Sequence, residues 1–156
     1  MHGAVTTPTA IFIHINSLKK SMIAIELKIK FAGDWVAEIG DYDVHGLGIA
    51  STFRNREFFG VTVLNAAVDQ FDEIIRVIRK NQHVSSVEIL EAVERDGRVL
   101  CTISTECVYS TYTPMQMISL QGFLPISHSE YRDGYQYAEI LGGNREEIQE
   151  VISELE

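Results

Sequence analysis

The chain has 156 residues, 46% hydrophobic and 22% charged, a size and balance that suit one folded domain and exclude collagen-like, mucin-like or wholly disordered sequence. Thirteen basic side chains against 22 acidic ones leave a net charge of -9, which repels a phosphate backbone, so no direct nucleic-acid contact by this chain is expected.

Residues 1–21 open on the small, polar run GAVTTPTA, followed by IFIHIN and the pair Lys19-Lys20. Ile11, Ile13 and Ile15 alternate with Phe12, His14 and Asn16, a pattern that suits an edge strand; an N-terminal extension or leader ahead of a start at Met22 is the alternative, and the two stay open. From Met22, Ile23, Ile25, Leu27, Ile29 and Phe31 alternate with Ala24, Glu26, Lys28 and Lys30, the period-two mark of a strand with one buried face. Asp34 then suits a helix N-cap, with Trp35, Val36 and Ile39 forming a short helical turn closed at Gly40. Val44–Phe53 and Glu57–Leu64 read as a hairpin across Arg54-Asn55-Arg56.

Val68, Phe71, Ile74, Ile75 and Ile78 recur at spacings of three and four, with Asp72 and Glu73 early and Arg79 and Lys80 late, which predicts an amphipathic helix oriented with its dipole. Val84–Val93 and Arg98–Thr105 predict a second hairpin around Asp96-Gly97. Thr113-Pro114 opens a further helix that Gly122 closes. Phe123–His128 and Tyr135–Leu141 predict strands around Asp133-Gly134, and Asn144 with Glu147 begins a last helix carrying Ile148, Val151, Ile152 and Leu155. The order β-α-β-β-α-β-β-α-β-β-α predicts an α+β fold: tandem ferredoxin-like or ACT-like βαββαβ units, about 22–83 and 84–156, with mostly antiparallel sheet and helices on one face.

Several groupings invite chemistry. Asp41, Asp43 and His45 fall on one face of an extended chain, but at roughly 6.6 Å per step they stand too far apart for one metal ion unless the backbone turns, so a polar loop is favoured. Cys101 and Cys107 share a strand parity yet would lie roughly 20 Å apart along it, which excludes a shared metal or an unstrained disulfide; buried thiols are expected. Two cysteines in no CxxC or Cys/His spacing also point to a reducing, cytoplasmic setting without metal or other cofactor. No stretch approaches the ~20 apolar residues that cross a bilayer, so no membrane partner is expected. Gly46-Leu47-Gly48 lacks the third glycine and the helix of a dinucleotide loop. His83 reads as a helix C-terminal dipole partner and His128 as a strand surface residue. Tyr109, Tyr112, Tyr131, Tyr135 and Tyr137 suit a ligand cleft or a subunit interface, with packing against Met115 and Met117 favoured.

The segments LKIKFAGDWVAEI, VDQFDEIIRVIRKN, HVSSVEILE and YQYAEILGGNREEIQEVISELE resemble, across about Met22 to Glu156, the N-terminal domain of archaeal bacterio-opsin-activator-type helix-turn-helix transcription regulators. The resemblance implies a non-enzymatic regulatory part, for ligand sensing or assembly, whose DNA-binding helices lie outside this chain. An unknown small molecule or protein subunit is then the expected partner, and a homodimer one arrangement this allows. Polar and aromatic residues near predicted element ends, Asp34, Trp35, Asp43, His45, Tyr112 and Arg132, are the candidate ligand contacts, since function concentrates in loops. The alternative is a small stand-alone enzyme performing proton transfer or hydrolysis with Asp43 and His45 or with Cys107.

Overall fold

The computed structural model describes residues 8–19, 22–109, 113, 115, 116, 118, 122–126, 128–142, 146, 147, 149, 150 and 153. Among these, nine strands form one sheet: β1 (Pro8–Lys19), β2 (Met22–Phe31), β3 (Val44–Arg54), β4 (Glu57–Ala67), β5 (Val84–Arg95), β6 (Arg98–Val108), β7 (Leu124–Pro125), β8 (Ser129–Arg132) and β9 (Tyr135–Gly142). Helix α1 (Trp35–Glu38) joins β2 to β3, and α2 (Phe71–Lys80) joins β4 to β5. The strand order is β1-β2-β9-β8-β3-β4-β6-β5, with the short β7 beside β9. Every neighbouring pair is antiparallel.

Turn chemistry is local and lies where the residues place it. Asn55, Asp96 and Asp133 have φ of 56°, 52° and 54°, a left-handed backbone that Asn and Asp tolerate because their short side chains bond locally. Gly97 and Gly134 follow at φ 75° and 78°, giving the paired positive φ that lets a two-residue turn match the twist of its hairpin. The Ile11–Asn16 alternation lies in β1, whose register against β2 pairs Ile13 with Leu27 and Ile15 with Ile25.

Alternation decides which face is buried. On β2, Ile25, Leu27 and Ile29 are buried while Glu26 is exposed; on β6, Val99, Cys101, Ile103, Thr105 and Cys107 are buried while Leu100 and Glu106 face outward. The inner face of β4 and β6 packs under α2 through Ile74, Ile75 and Ile78. Ile74 and Ile78 are wholly buried, and each such side chain stabilises the fold by about 1.5–3 kcal/mol relative to exposure. A second cluster gathers Ile25, Leu27, Ile29, Ile118, Phe123 and Ile140 against β2 and β9. Ile118 belongs to a helical stretch that also includes Met115 and Gln116. Thr113 Oγ1 accepts from the Gln116 amide at 3.2 Å and Gln116 Oε1 accepts from the Thr113 amide at 2.9 Å. This reciprocal capping box satisfies two donors at a helix start. The Gln116 side chain also donates to the Asn55 carbonyl at 3.0 Å, tying this helix start to the β3–β4 turn.

The architecture corrects the expected one. The protein is not a tandem of ferredoxin-like βαββαβ units but a predominantly antiparallel β fold. Strands from the two expected halves interleave in one sheet, β2 pairing with β9 and β4 with β6. Helix α1 is a single turn of four residues, too short to cover a sheet, and α2 starts at Phe71 rather than Val68. One local crossover of the expected kind exists: β4 and β5 run the same way on either side of α2, with β6 between them. The stretch expected as one strand from Phe123 to His128 is divided, with β7 at Leu124–Pro125 and β8 starting at Ser129. Glu146, Glu147, Gln149, Glu150 and Ser153 are helical and exposed; Asn144 and the apolar residues expected on that last helix lie outside the described residues.

Candidate functional site

The apolar alternation of β2 ends at Phe31, and Gly33, at φ 83°, turns the chain so that Asp34 sits in extended backbone just ahead of α1. Asn81, just past α2, donates from its side chain to the Gly33 carbonyl at 2.9 Å, which holds this turn against the end of the helix. Asp34 Oδ1 accepts from the Tyr109 hydroxyl at 2.9 Å, from a residue 75 positions along the chain. Tyr109 is itself wedged between Phe31, ring centroids 6.2 Å apart, and the His83 ring at 4.9 Å. Trp35 packs its edge on Tyr131 at 5.6 Å.

Phe31, Asp34, Trp35, Tyr109 and Tyr131 border a cavity of about 220 Å³ that lies where the two apolar clusters meet. Its aromatic wall is Phe31, Trp35, Phe53, Phe58, Tyr109 and Tyr131; Ser51, Thr62, Thr113, Ser129 and Gln136 add neutral polar groups, and exposed His128 also borders it. Gly46 and Gly48 on β3 explain how Tyr131 reaches this place. A Cβ on Gly46 would lie 2.9 Å from the Tyr131 ring, and one on Gly48 2.9 Å from its hydroxyl. The Gly-Leu-Gly step is thus room for a tyrosine, not a phosphate loop.

Enclosure dominates the electrostatics. Burial pushes the Asp34 carboxyl up to about 6, opposed by the Tyr109 hydroxyl and by the first amides of α1, at Trp35 and Val36, which favour the ionised form; Glu38 adds a small upward push. Burial and the neighbouring Asp34 charge push the Cys107 thiol up to about 12 and hold Tyr109 and Tyr131 far above the ordinary phenol range. Burial lowers the His83 imidazole, whose Nε2 is buried without a hydrogen-bond partner among the described residues. His83 is therefore a neutral ring stacked in the interior, not the charged dipole partner expected, because desolvation outweighs the attraction of a helix end.

The residues singled out in the sequence fall in separate places. Asp34 and Trp35 meet at the cavity. Asp43 is exposed and forms an ion pair with Arg98 at 2.7 Å, which holds its carboxyl below the ordinary carboxylate value; Arg98 also donates to the Asn65 side chain and carbonyl at 2.8 and 3.0 Å. His45 and Arg132 border an open hollow with Leu47, Val63, Asn65, Leu100 and Glu130, and the Arg132 guanidinium lies 4.2 Å over the Tyr137 ring. Tyr112 lies outside the described residues. Cys101 and Cys107 are both buried, and a thiol pushed that high supplies no thiolate nucleophile. Among the described residues no three His, Cys, Asp or Glu side chains gather as a metal site requires, and no helix is long and apolar enough to cross a membrane.

No protein-family model, curated protein or solved structure matches the chain.

The tyrosine concentration was a signal of the cavity, but only in part. Tyr109 and Tyr131 line it, whereas Tyr135 and Tyr137 form a separate pair with Lys28 4.2 Å over Tyr135. Phe53 and Phe58, tilted against each other with ring centroids 5.0 Å apart across the β3–β4 hairpin, carry no sequence mark that separates a cavity wall from an ordinary cross-strand pair.

Proposed function

We propose that the chain is a regulatory, ligand-sensing domain that binds a small molecule in the cavity beside Asp34 and relays occupancy to a separate DNA-binding element. The observation that carries this reading is the cavity itself: about 220 Å³ bordered by six aromatic rings, several neutral polar groups and the half-buried Asp34 carboxyl, the mix of apolar walls and placed polar groups typical of small-molecule sites. The resemblance to the regulatory domains of helix-turn-helix transcription regulators supports the relay, and the acidic net charge of -9 suits a part that leaves DNA contact to another element.

A route outward exists in packed backbone. A Cβ on Gly40, just past α1, would stand 2.7 Å from the Gly134 Cα, so α1 has no slack against the β8–β9 turn. A ligand that shifts Asp34 and Trp35 shifts α1, and α1 pushes on the Asp133-Gly134 turn that follows Arg132. Ligands act by favouring one of two such arrangements. Beyond this turn the sheet offers a face for assembly: on β5 and β6, Leu90, Val93 and Leu100 are 53%, 51% and 53% exposed.

Hydrogen exchange tests the reading. A small metabolite that raises the melting temperature is expected to slow amide exchange together at residues 37–40 and 132–134, which lie off the cavity wall. Protection confined to the cavity wall would remove the relay. A broad metabolite screen without one stabilising compound would remove the sensor.

A further inference from the structure

Resting on that reading of the cavity, we infer that its ligand is a small organic ammonium ion, whose charged nitrogen pairs with Asp34 and whose apolar body lies among the surrounding aromatic rings. Charge decides the class. Among the described residues, Asp34 is the one acidic residue bordering the cavity, and no lysine or arginine borders it. A phosphate or carboxylate would meet the Asp34 carboxylate, with the exposed His128 imidazole the one basic side chain on the border among the described residues, whereas an ammonium meets its counter-charge. The walls favour the same sign. Phe31, Trp35, Phe58, Tyr109 and Tyr131 present π-systems whose faces are electrostatically negative and attract cations.

Asp34 also has capacity for the bond. An ionised carboxylate offers about four acceptor positions; the Tyr109 hydroxyl occupies one, and the Asp34 side chain does not cap α1. A cation would further relieve the cost of an enclosed, unpaired carboxylate. The groups facing Asp34 do not compete for that role: Tyr109, Tyr131 and Cys107 stay protonated and neutral, and Glu38 is acidic.

The test uses three near-isosteric probes on the intact chain: benzylammonium, benzyl alcohol and benzoate, followed by the emission of Trp35, the single tryptophan, and by calorimetry. Benzylammonium is expected to bind at least tenfold more tightly than benzyl alcohol at pH 7, with benzoate weakest. Asp34→Asn should abolish the preference for benzylammonium over benzyl alcohol. A wild-type measurement guards against misfolding of that variant. With the carboxyl near 6, its ionised fraction drops from about 0.9 at pH 7 to about 0.1 at pH 5, so benzylammonium should bind about tenfold more weakly at pH 5 and the alcohol equally well. Benzoate or benzyl alcohol binding as tightly as benzylammonium overturns the cationic class but keeps the cavity as a ligand site. Binding of none of the three overturns the cationic class and leaves the sensor reading to the metabolite screen.

Discussion

Replacing Asp34 by asparagine isolates the energetic consequence of enclosing a carboxyl. The gap between about 6 in the folded protein and the ordinary 3.8 corresponds to about 3 kcal/mol, at ~1.4 kcal/mol per pH unit. The sign follows from proton counting. Below about pH 4 the carboxyl is protonated in both folded and unfolded chains, and its contribution to stability is fully present. Between about 4 and 6 the folded state keeps the proton that the unfolded state has lost, so stability falls as pH rises; above about 6 the loss is complete. Asp43 and Glu73, lowered by Arg98 and Arg76, lean the opposite way, losing stability as pH falls, but wild type and variant share them. The substituted amide keeps an oxygen to accept the Tyr109 hydroxyl and carries no charge.

Urea denaturation at pH 4, 5, 6 and 7 should therefore show Asp34→Asn gaining on wild type across this range by up to about 3 kcal/mol, of the order of 6–12 °C in melting temperature for a chain of this length. Parallel pH profiles for the two proteins would refute the reasoning, because they would mean that the carboxyl titrates alike in the folded and unfolded chains.

Two further outcomes probe the surroundings. Cys101 and Cys107 are buried, and with the Cys107 thiol near 12 a disulfide reagent at pH 8 should label Cys107 slowly in the native protein and both thiols promptly in urea; rapid native labelling of Cys107 would contradict its enclosure. Thr113→Ala removes the hydroxyl of the capping box and should lower stability by about 0.5–2 kcal/mol, read as a lower urea midpoint, while Gln116→Ala, which also releases the Asn55 carbonyl, should cost more.

What could be read along the chain was whatever neighbouring residues impose on one another. The alternation of Ile25, Leu27 and Ile29 with Glu26 and Lys28 marks β2 because successive side chains of a strand point to opposite faces. Asn55, Asp96-Gly97 and Asp133-Gly134 mark turns because few other residues accept positive φ, and the three-and-four spacing of Ile74, Ile75 and Ile78 marks α2. Asp34 and Trp35 stood out for their place at an element end. None of this says which strand lies beside which. The pairing of β2 with β9 and of β3 with β8 joins residues about a hundred positions apart in the first case, and it arises from how all the apolar faces are covered at once, a condition with no local signature. The ferredoxin-like expectation failed there, since element order fits more than one way of joining strands. The cavity is equally non-local: the carboxyl comes from before α1, its tyrosine partner from beyond β6 and its opposite wall from the β3–β4 hairpin. Periodicity and turn chemistry act between adjacent residues and so are written in order along the chain, whereas the enclosure that raises Asp34 exists only once distant segments have packed around it.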